Sequence, residues 1–210
     1  MEIHDSFDLV IGLAGLKAAG KDEFGRRAAS HFGFIHTRIS DAIRAEAAKR
    51  GITDPSTSVL QDLGNEGRLK SGDSGYWPKE LLKIMSVAGK RLLTINGIRH
   101  PDEAAALRAA LGDKFIPVGI VAPTLMRSTR FFGRGQAGDP AEFEHFLAID
   151  DRDRGIGEPP HGQQVDRTLA LVPWENVYNN IGTLEEYWAW ISSFMEKRLP
   201  QARRRRKSGR

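Results

Sequence analysis

Short apolar runs alternate with amphipathic segments along most of the chain. The first run, Leu9–Ala14, is aliphatic and partly β-branched and is followed by glycine, which predicts a buried parallel strand. The next segment, from Gly20 to His31, places Phe24 and Ala28 on one helical face. Further strands are predicted at 34–37, 91–95, 115–121 and 168–172, and further helices at 40–50, 56–70, 78–89, 101–112, 140–153 and 183–199. This alternation predicts an α/β fold with a parallel sheet covered on both faces.

Caps, loops and a tail mark the ends of these elements. Ser40 is the candidate N-cap of the helix at 40–50. Residues 127–139 are basic and contain glycines, which predicts a mobile loop, and residues 155–162 form a second loop rich in glycine and proline. Residues 1–199 show no clear linker or repeat and are predicted to form one domain, followed by a disordered tail at 200–210.

Composition narrows the class of protein. The chain has 210 residues, of which 40% are hydrophobic and 28% charged, as in an ordinary globular domain. No run approaches the roughly 18–20 apolar residues that span a membrane, and the acidic start lacks a signal-peptide pattern. The absence of cysteine excludes disulfides, thiolate zinc sites and cysteine nucleophiles. We expect a cytoplasmic protein that makes no membrane contact; a monomer and a homodimer both stay open.

The positive charge is concentrated in the tail. The chain has a net charge of +4, and the tail alone carries six cations, Arg203, Arg204, Arg205, Arg206, Lys207 and Arg210, so the rest is slightly acidic. Such a block is usually solvated and disordered, which is the interpretation we favour. The alternative is a weak nucleic-acid contact through phosphates.

The residues after the first strand fit the phosphate-binding pattern G-x-x-x-x-G-K. Its glycines let the backbone wrap closely around phosphates, and successive N–H groups and the helix start supply positive potential. Lys21 would reach the β- and γ-phosphates. The predicted phosphate-binding residues are Gly15, Lys17, Ala18, Ala19, Gly20, Lys21, Asp22 and Glu23. The alternative is a strand-to-helix turn without a ligand, with Lys17 merely solvated.

Asp22 replaces the serine or threonine that usually ends this pattern. The usual hydroxyl binds Mg²⁺, and a carboxylate can also bind Mg²⁺, directly or through water. Asp22 is therefore the candidate metal ligand. It also places a negative charge beside the phosphates, which would oppose nucleotide binding.

The G-x-x-x-x-G-K-D loop resembles that of phage-type deoxynucleoside monophosphate kinases and animal-type phosphomevalonate kinases. The rest of the chain resembles the nucleoside monophosphate kinase and dephospho-CoA kinase group, and most of all the adenylate-kinase-like proteins of archaea. The similar stretches are Ser40–Arg44, Ile95–Arg99, Asp151–Glu158, Gly162–Val165 and Asn179–Glu186. The resemblance implies a P-loop NTPase fold, a three-layer α/β/α sandwich with a lid, that uses ATP and Mg²⁺. The same domain type also occurs beside deaminase domains, where it need not be a kinase.

The resemblance also implies an acceptor site. Its predicted residues are Asp41, Arg44, Asn96, Arg99 and Gln164. A guanidinium grips phosphate oxygens with two parallel bonds, and Arg99 follows a strand end, where α/β sheets bind ligands. The family often has aspartate where this chain has Asn96, and an amide cannot act as a base. The alternatives are a surface ion pair for Asp41 and Arg44 and a simple turn for Asn96.

Arginines in the predicted lid are the remaining catalytic candidates. Arg127, Arg130 and Arg134 would join Lys21 in neutralising the transferring phosphoryl group when the lid closes; the alternative is a solvated basic loop. The resemblance places Asn180 at the base pocket, and capping of the last helix is the alternative. For the acidic cluster, Asp150, Asp151, Asp153 and Glu158, ion pairing at a helix end is favoured over metal binding.

The sequence therefore predicts an ATP-dependent phosphotransferase. Its acceptor would be a small phosphorylated molecule, with a (deoxy)nucleoside monophosphate as the leading candidate and dephospho-CoA or phosphomevalonate as alternatives. A nucleotide-binding sensor with little transfer activity is the competing hypothesis, because Asp22 and Asn96 both depart from the kinase pattern.

Overall fold

A five-stranded sheet, in which all neighbouring strands are parallel, forms the centre of the protein. The computed structural model describes residues 3–134 and 142–208, without the side chains of 57, 58 and 200–208. Within these residues the strands are β1 (Leu9–Ala14), β2 (Ile35–Arg38), β3 (Leu92–Ile98), β4 (Phe115–Val121) and β5 (Val177–Asn179). Their spatial order is β2-β3-β1-β4-β5, so β1 is the central strand and the connections reverse direction beside it. Ligands of open parallel sheets bind at the carboxyl ends of strands around such a point.

Helices cover both faces of the sheet. They are α1 (Lys21–Phe32), α2 (Ile39–Lys49), α3 (Thr57–Ser71), α4 (Tyr76–Val87), α5 (Pro101–Leu111), α6 (Thr124–Gly133), α7 (Phe143–Arg154), α8 (Val165–Ala170) and α9 (Leu184–Ser208). Strand β1 is buried along its whole length, and its side chains alternate between two cores. Val10 packs with α2, α4 and α5, whereas Leu9 and Ile11 pack with α1 and α9. The predicted α/β class with a doubly covered parallel sheet is confirmed.

The last strand was predicted in the wrong place. Residues 168–172 belong to α8 and the turn after it, and the fifth strand is the three-residue β5, which pairs with β4. Val165 and Thr168 are the buried positions of α8, a spacing of three that suits a helix. A five-residue apolar run does not distinguish a strand from a short buried helix.

The predicted mobile loop at 127–139 is also corrected. Its first half is helical, because α6 runs from Thr124 to Gly133 and buries Arg127, Ser128 and Phe131. Residues 135–139 lie outside the described residues. The basic composition was misleading, because Arg127, the first of the three arginines in this segment, is a buried residue of the helix.

Two helix ends differ from their predictions. Helix α2 begins at Ile39, and Asp41 rather than Ser40 satisfies its first turn: the Asp41 Oδ2 atom accepts from Arg38 N at 2.7 Å and from Thr37 Oγ1 at 2.8 Å. Helix α9 runs from Leu184 to Ser208, beyond the end predicted at residue 199; the disorder expected for the tail stays a prediction.

No helix within residues 3–134 and 142–208 combines the length and the apolar character needed to cross a bilayer.

A substitution at Gly12 tests how tightly the central strand β1 is packed. A Cβ atom added to Gly12 would lie 2.6 Å from Phe115 Cε2 and closer still to Ile98 Cδ1. Because overpacking of a core costs about 1–3 kcal/mol, we expect Gly12→Ala to lower the free energy of unfolding by about that amount in urea titrations. Gly133→Ala is the control, since among the described residues no atom outside its own helix backbone and its two chain neighbours lies within 4 Å of the added Cβ, and alanine favours the helix. Equal effects of the two substitutions would contradict this packing argument.

Candidate functional site

Residues 15–20 connect the end of β1 to the start of α1 in a conformation that depends on glycine. Gly15 and Gly20 have φ angles of 150° and 114°, and Ala18 has 58°. A Cβ atom at Gly15 would overlap the carbonyl oxygen of Ile120, and one at Gly20 would lie 2.5 Å from Asn180 Nδ2. The loop thus passes directly over β4 and leads into the positive end of α1. This is the geometry that binds phosphate groups.

Side chains outside the loop hold its carbonyl groups. Asn180 Nδ2 donates to Ala19 O at 2.8 Å, and Tyr187 Oη donates to Gly20 O at 3.1 Å. Arg127 Nη1 donates to Lys17 O at 3.3 Å. Asn180 was predicted to shape the base pocket or to cap the last helix; Thr183 is the residue whose hydroxyl caps α9. The structure gives Asn180 a further role that sequence reasoning did not find, because it fixes the phosphate loop.

Lys21 lies at the base of the loop, where it can reach a bound phosphate. Its Nζ atom donates to Leu16 O at 2.7 Å and faces the cavity beside the loop. Burial, and secondly the nearby Arg99 charge, lower the pKa of Lys21 to about 8. A phosphate beside Lys21 would favour the charged form again.

Asp22 is the centre of a polar cluster beside Lys21. Its Oδ1 atom accepts from Asn96 Nδ2 at 2.9 Å, from Arg38 Nη2 at 2.8 Å and from Arg38 Nε at 3.2 Å, and it lies 3.4 Å from His36 Nε2. The His36 contact, followed by the Arg38 contacts, holds the pKa of the Asp22 carboxyl well below its usual range. This lowered pKa favours the charged form of Asp22. Asn96 lies inside β3, at a bulge against β1, and not in the turn that was the alternative.

A cavity of about 390 Å³ joins the phosphate loop to helices α2 and α3. Among the described residues, its lining contains two carboxylates, Asp22 and Asp153, and a larger number of cations. These cations are Lys17, Lys21, Arg38, Arg44, Arg68, Arg99 and Arg134. We call this cavity the basic cleft. Its charge suits a ligand that carries several negative groups.

Buried acids position two arginines of the cleft. Arg68 Nη2 donates to Glu103 Oε1 at 2.8 Å, and the other oxygen of Glu103, which is fully buried, accepts from the backbone N of Arg99 at 2.8 Å. The Arg99 side chain donates to Gln163 Oε1 at 2.9 Å and to Asp153 Oδ1 at 3.3 Å. Sequence reasoning missed Arg68, Glu103 and Gln163. Only Glu103 had a local signal, as the third residue of a helix that starts with proline.

Arg127 was predicted as a mobile lid arginine, but it is a fixed internal residue. Its side chain is fully buried, and Nη2 donates to Asp150 Oδ2 at 2.7 Å while Nη1 contacts Asp150 Oδ1. Nε donates to Ala122 O at 3.0 Å, and Nη2 also donates to Thr124 Oγ1 at 3.1 Å. Arg127 thereby links α6 and α7 to the phosphate loop at Lys17. Asp150 holds Arg127 in this position, and Arg127 supports the loop through Lys17 O, so that all three guanidinium nitrogens are engaged within the protein.

The two other lid candidates lie on α6 and directly after it. Arg130 is half-buried on α6, where Nη2 donates to Asn180 O at 3.0 Å and Nη1 has no hydrogen-bond partner among the described residues. Arg134 follows α6, lies over the Phe131 ring at 4.6 Å and lines the basic cleft. Of these two arginines, Arg134 therefore lines the basic cleft, whereas Arg130 packs against the segment that contains Asn180.

Three predicted side chains are engaged elsewhere. Asp41 caps α2, as described above. Gln164 Nε2 donates to Pro160 O at 2.7 Å, and its neighbour Gln163 lines the cleft instead. The Glu23 carboxylate accepts from Trp188 Nε1 at 2.7 Å, so it faces α9 and not the loop.

The acidic cluster forms ion pairs, as favoured from the sequence. Asp150 pairs with Arg127 and Arg154, Asp153 pairs with Arg99, and Glu158 pairs with Arg152. Within the described part of the chain, no group of three or more histidine, aspartate and glutamate side chains is placed to hold a metal ion.

Comparisons with known proteins place the chain in a family. No family model matches it. A UPF0200 protein of Pyrobaculum aerophilum is 35% identical over 148 residues, which cover 70% of this chain and 79% of the relative. The chain belongs to the UPF0200 family. A UPF0200 protein of Methanosarcina barkeri is 29% identical over 159 residues, which cover 75% and 84%. These names specify neither a reaction nor a substrate.

Solved structures identify the fold of this UPF0200 protein. TT1252 from Thermus thermophilus superposes with a TM-score of 0.53 at 19% identity, covering 90% of this chain and 98% of that one. A gluconokinase from Sinorhizobium meliloti gives a TM-score of 0.50 at 14% identity, covering 93% and 98%. Together with the loop geometry and the parallel sheet, they confirm the predicted P-loop fold, a three-layer α/β/α sandwich. At these identities they show the fold alone.

The Arg127–Asp150 pair should contribute strongly to stability. Removing one member of a buried ion pair leaves an uncompensated charge, which costs about 3–5 kcal/mol. We expect Asp150→Ala to lower the free energy of unfolding by about this amount in urea titrations. Asp151→Ala, at the exposed neighbouring position on α7, should change it by less than about 0.5 kcal/mol. A similar small effect of both substitutions would show that Arg127 does not depend on Asp150.

Proposed function

We propose that this UPF0200 protein is an ATP-dependent phosphotransferase that moves the γ-phosphoryl group to a small phosphorylated acceptor. The observation that carries the proposal is that one cavity contains both Lys21 of the phosphate loop and the arginines of the basic cleft. A nucleotide on the loop and a second phosphate on Arg44 and Arg99 would therefore meet inside the same space. Holding two reactants together in this way is a large part of catalysis in phosphoryl transfer.

The chain's own residues divide between donor and acceptor. The loop residues and Lys21 would bind the β- and γ-phosphates, with Arg134, and Arg130 from α6, adding positive charge on the same side. Arg44 and Arg99 would bind the acceptor phosphate. Arg44 is exposed on α2, and its side chain forms no ion pair or hydrogen bond with the described residues. Its guanidinium is therefore available to a ligand. A (deoxy)nucleoside monophosphate is the acceptor that we favour.

The residues beside Lys21 suit Mg²⁺. Asp22 supplies a carboxylate whose lowered pKa favours the charged form, and Asn96 Oδ1 is buried without a hydrogen-bond partner among the described residues. Carboxylate and amide oxygens are the kind of ligand that Mg²⁺ takes in proteins. When bound with ATP, Mg²⁺ would neutralise part of the phosphate charge.

The amide at Asn96 is compatible with this reaction. An oxygen of the acceptor phosphate would form the bond to the γ-phosphorus as the bond to the β–γ bridging oxygen breaks, leaving ADP. A phosphate monoester loses its second proton at a pKa of about 6, so its attacking oxygen needs no base near neutral pH. Asn96 would then orient Asp22 through their hydrogen bond and take no proton.

Transfer from labelled ATP tests the proposal. With magnesium and a panel of ribo- and deoxynucleoside monophosphates, dephospho-CoA and phosphomevalonate, we expect one acceptor class to yield a diphosphate product. Lys21→Ala should lower its rate at least about 100-fold, because a positioned charge is lost from the transferring group. Lys83→Ala, a change at an exposed ion pair on α4, should leave the rate unchanged. An unchanged rate in Lys21→Ala would reject this mechanism.

A nucleotide-binding sensor is the second candidate function. Two observations favour it. Asn96 cannot act as a base on a hydroxyl acceptor, and the Asp22 carboxylate is already paired with the Arg38 guanidinium. Clear ATP binding without transfer to any acceptor in the panel would support the sensor and exclude the kinase.

The lowered pKa of Lys21 predicts how nucleotide affinity depends on pH. The charged form of Lys21 binds phosphates, and in the free protein this positive charge is lost as the pH rises through the Lys21 pKa of about 8. We therefore expect ATP affinity to fall between pH 8 and about 9.5 and binding to take up a proton there. Calorimetry in buffers of different ionisation enthalpy measures this uptake. Lys21→Arg, which stays charged, should abolish both effects; their persistence would assign them to another group.

A further inference from the structure

Arg38 is a cleft residue that no motif predicted. It ends β2 and is the N-cap of α2, and its side chain lines the basic cleft with just over half of its surface exposed. Two of its guanidinium nitrogens donate to one atom, Asp22 Oδ1, at 2.8 Å and 3.2 Å. The guanidinium therefore occupies the oxygen of Asp22 that Asn96 also contacts.

A guanidinium and a divalent cation cannot both make full use of this oxygen. They would compete for the same lone pairs and repel each other at short range. Asn96 Nδ2 already uses a further part of the Oδ1 surface. The binding of a metal–nucleotide complex at Asp22 should thus displace Arg38.

The Arg38–Asp22 pair is well suited to opening. Half-exposed ion pairs are screened by water and contribute little to stability. The other anchored arginines of the cleft differ, because Arg68 is held by the fully buried Glu103 and Arg99 by the buried Asp153. Arg38 is thus the cleft arginine whose carboxylate partner is also the candidate metal ligand.

We propose that Arg38 is an exchange residue: it neutralises Asp22 in the free protein and, once a metal–nucleotide complex displaces it, binds the anionic group of the acceptor in the basic cleft. This proposal rests on the phosphotransferase function. A displaced guanidinium would remain in the cleft lined by Arg44 and Arg99, where it adds positive charge for a phosphate. Donor and acceptor binding would then reinforce each other, because coupling between two sites is reciprocal.

The first arm of the test measures the donor side. Binding of Mn²⁺ with a non-hydrolysable ATP analogue is followed by electron paramagnetic resonance without any acceptor. Arg38→Gln should bind this complex about three- to tenfold more tightly than the unchanged protein, because the competing cation is gone. Arg50→Gln, which removes an ion-paired arginine at the other end of α2, should have no effect. Equal or weaker binding in Arg38→Gln would overturn the proposal.

A double substitution checks that the gain acts through Asp22. If Arg38 competes for this carboxylate, the advantage of Arg38→Gln should disappear in the background of Asp22→Asn. An advantage that persists there would mean that Arg38 weakens metal binding by long-range charge alone, which would overturn the exchange.

The second arm measures the acceptor side. Inorganic phosphate is titrated against protein saturated with the Mn²⁺–analogue complex, so that the phosphate loop is already filled. Arg38→Gln should weaken phosphate binding at least about tenfold relative to Arg50→Gln. Unchanged binding would overturn the proposal that the displaced Arg38 binds the acceptor.

Neither arm requires turnover. A failure of the exchange therefore leaves the Lys21-dependent transfer assay intact, and a failure of transfer leaves both binding results interpretable.

Discussion

The site depends on acidic side chains that hold the arginines. Arg127 and Arg68 lie almost entirely inside the protein, where an uncompensated charge would be costly, and each has a buried carboxylate, Asp150 or Glu103. These acids come from α7 and α5, so they also fix the two helices relative to the phosphate loop and the cleft. The positive charge of the cleft is thus preorganised by negative charge placed behind it, which reduces the reorganisation needed when an anion binds.

The burial of each arginine–carboxylate ion pair determines whether the contact is permanent or can be exchanged. The Arg127–Asp150 pair is sealed from water and accepts no competitor, so it supports the loop. The Arg38–Asp22 pair is open to the cleft, and its carboxylate lies beside the phosphate loop, so a cation arriving with a nucleotide could compete for it. The same ion-pair chemistry therefore gives structural support at one depth and a replaceable contact at another.

Local features were predictable from the sequence, and long-range pairings were not. The phosphate loop and β1 could be identified because their requirements, glycines and a buried run, are contained within a few residues. Arg127 was misassigned because its partner is 23 residues away on a helix that composition does not connect to it. Strand β5 was missed because three residues carry no periodicity. Asp41 could have been recognised as a cap from its position three residues after Arg38.

The two departures from the kinase pattern, Asp22 and Asn96, compensate each other. Their side chains are hydrogen-bonded at 2.9 Å, and that distance suits an amide donor against a carboxylate. Two carboxylates at this separation would repel, so one of them would become protonated and cease to be a charged ligand. A neutral amide on β3 therefore suits the carboxylate of Asp22 at the start of α1. The pair keeps one negative charge beside Lys21, and in the proposed phosphotransferase the neutral Asn96 would keep that carboxylate charged.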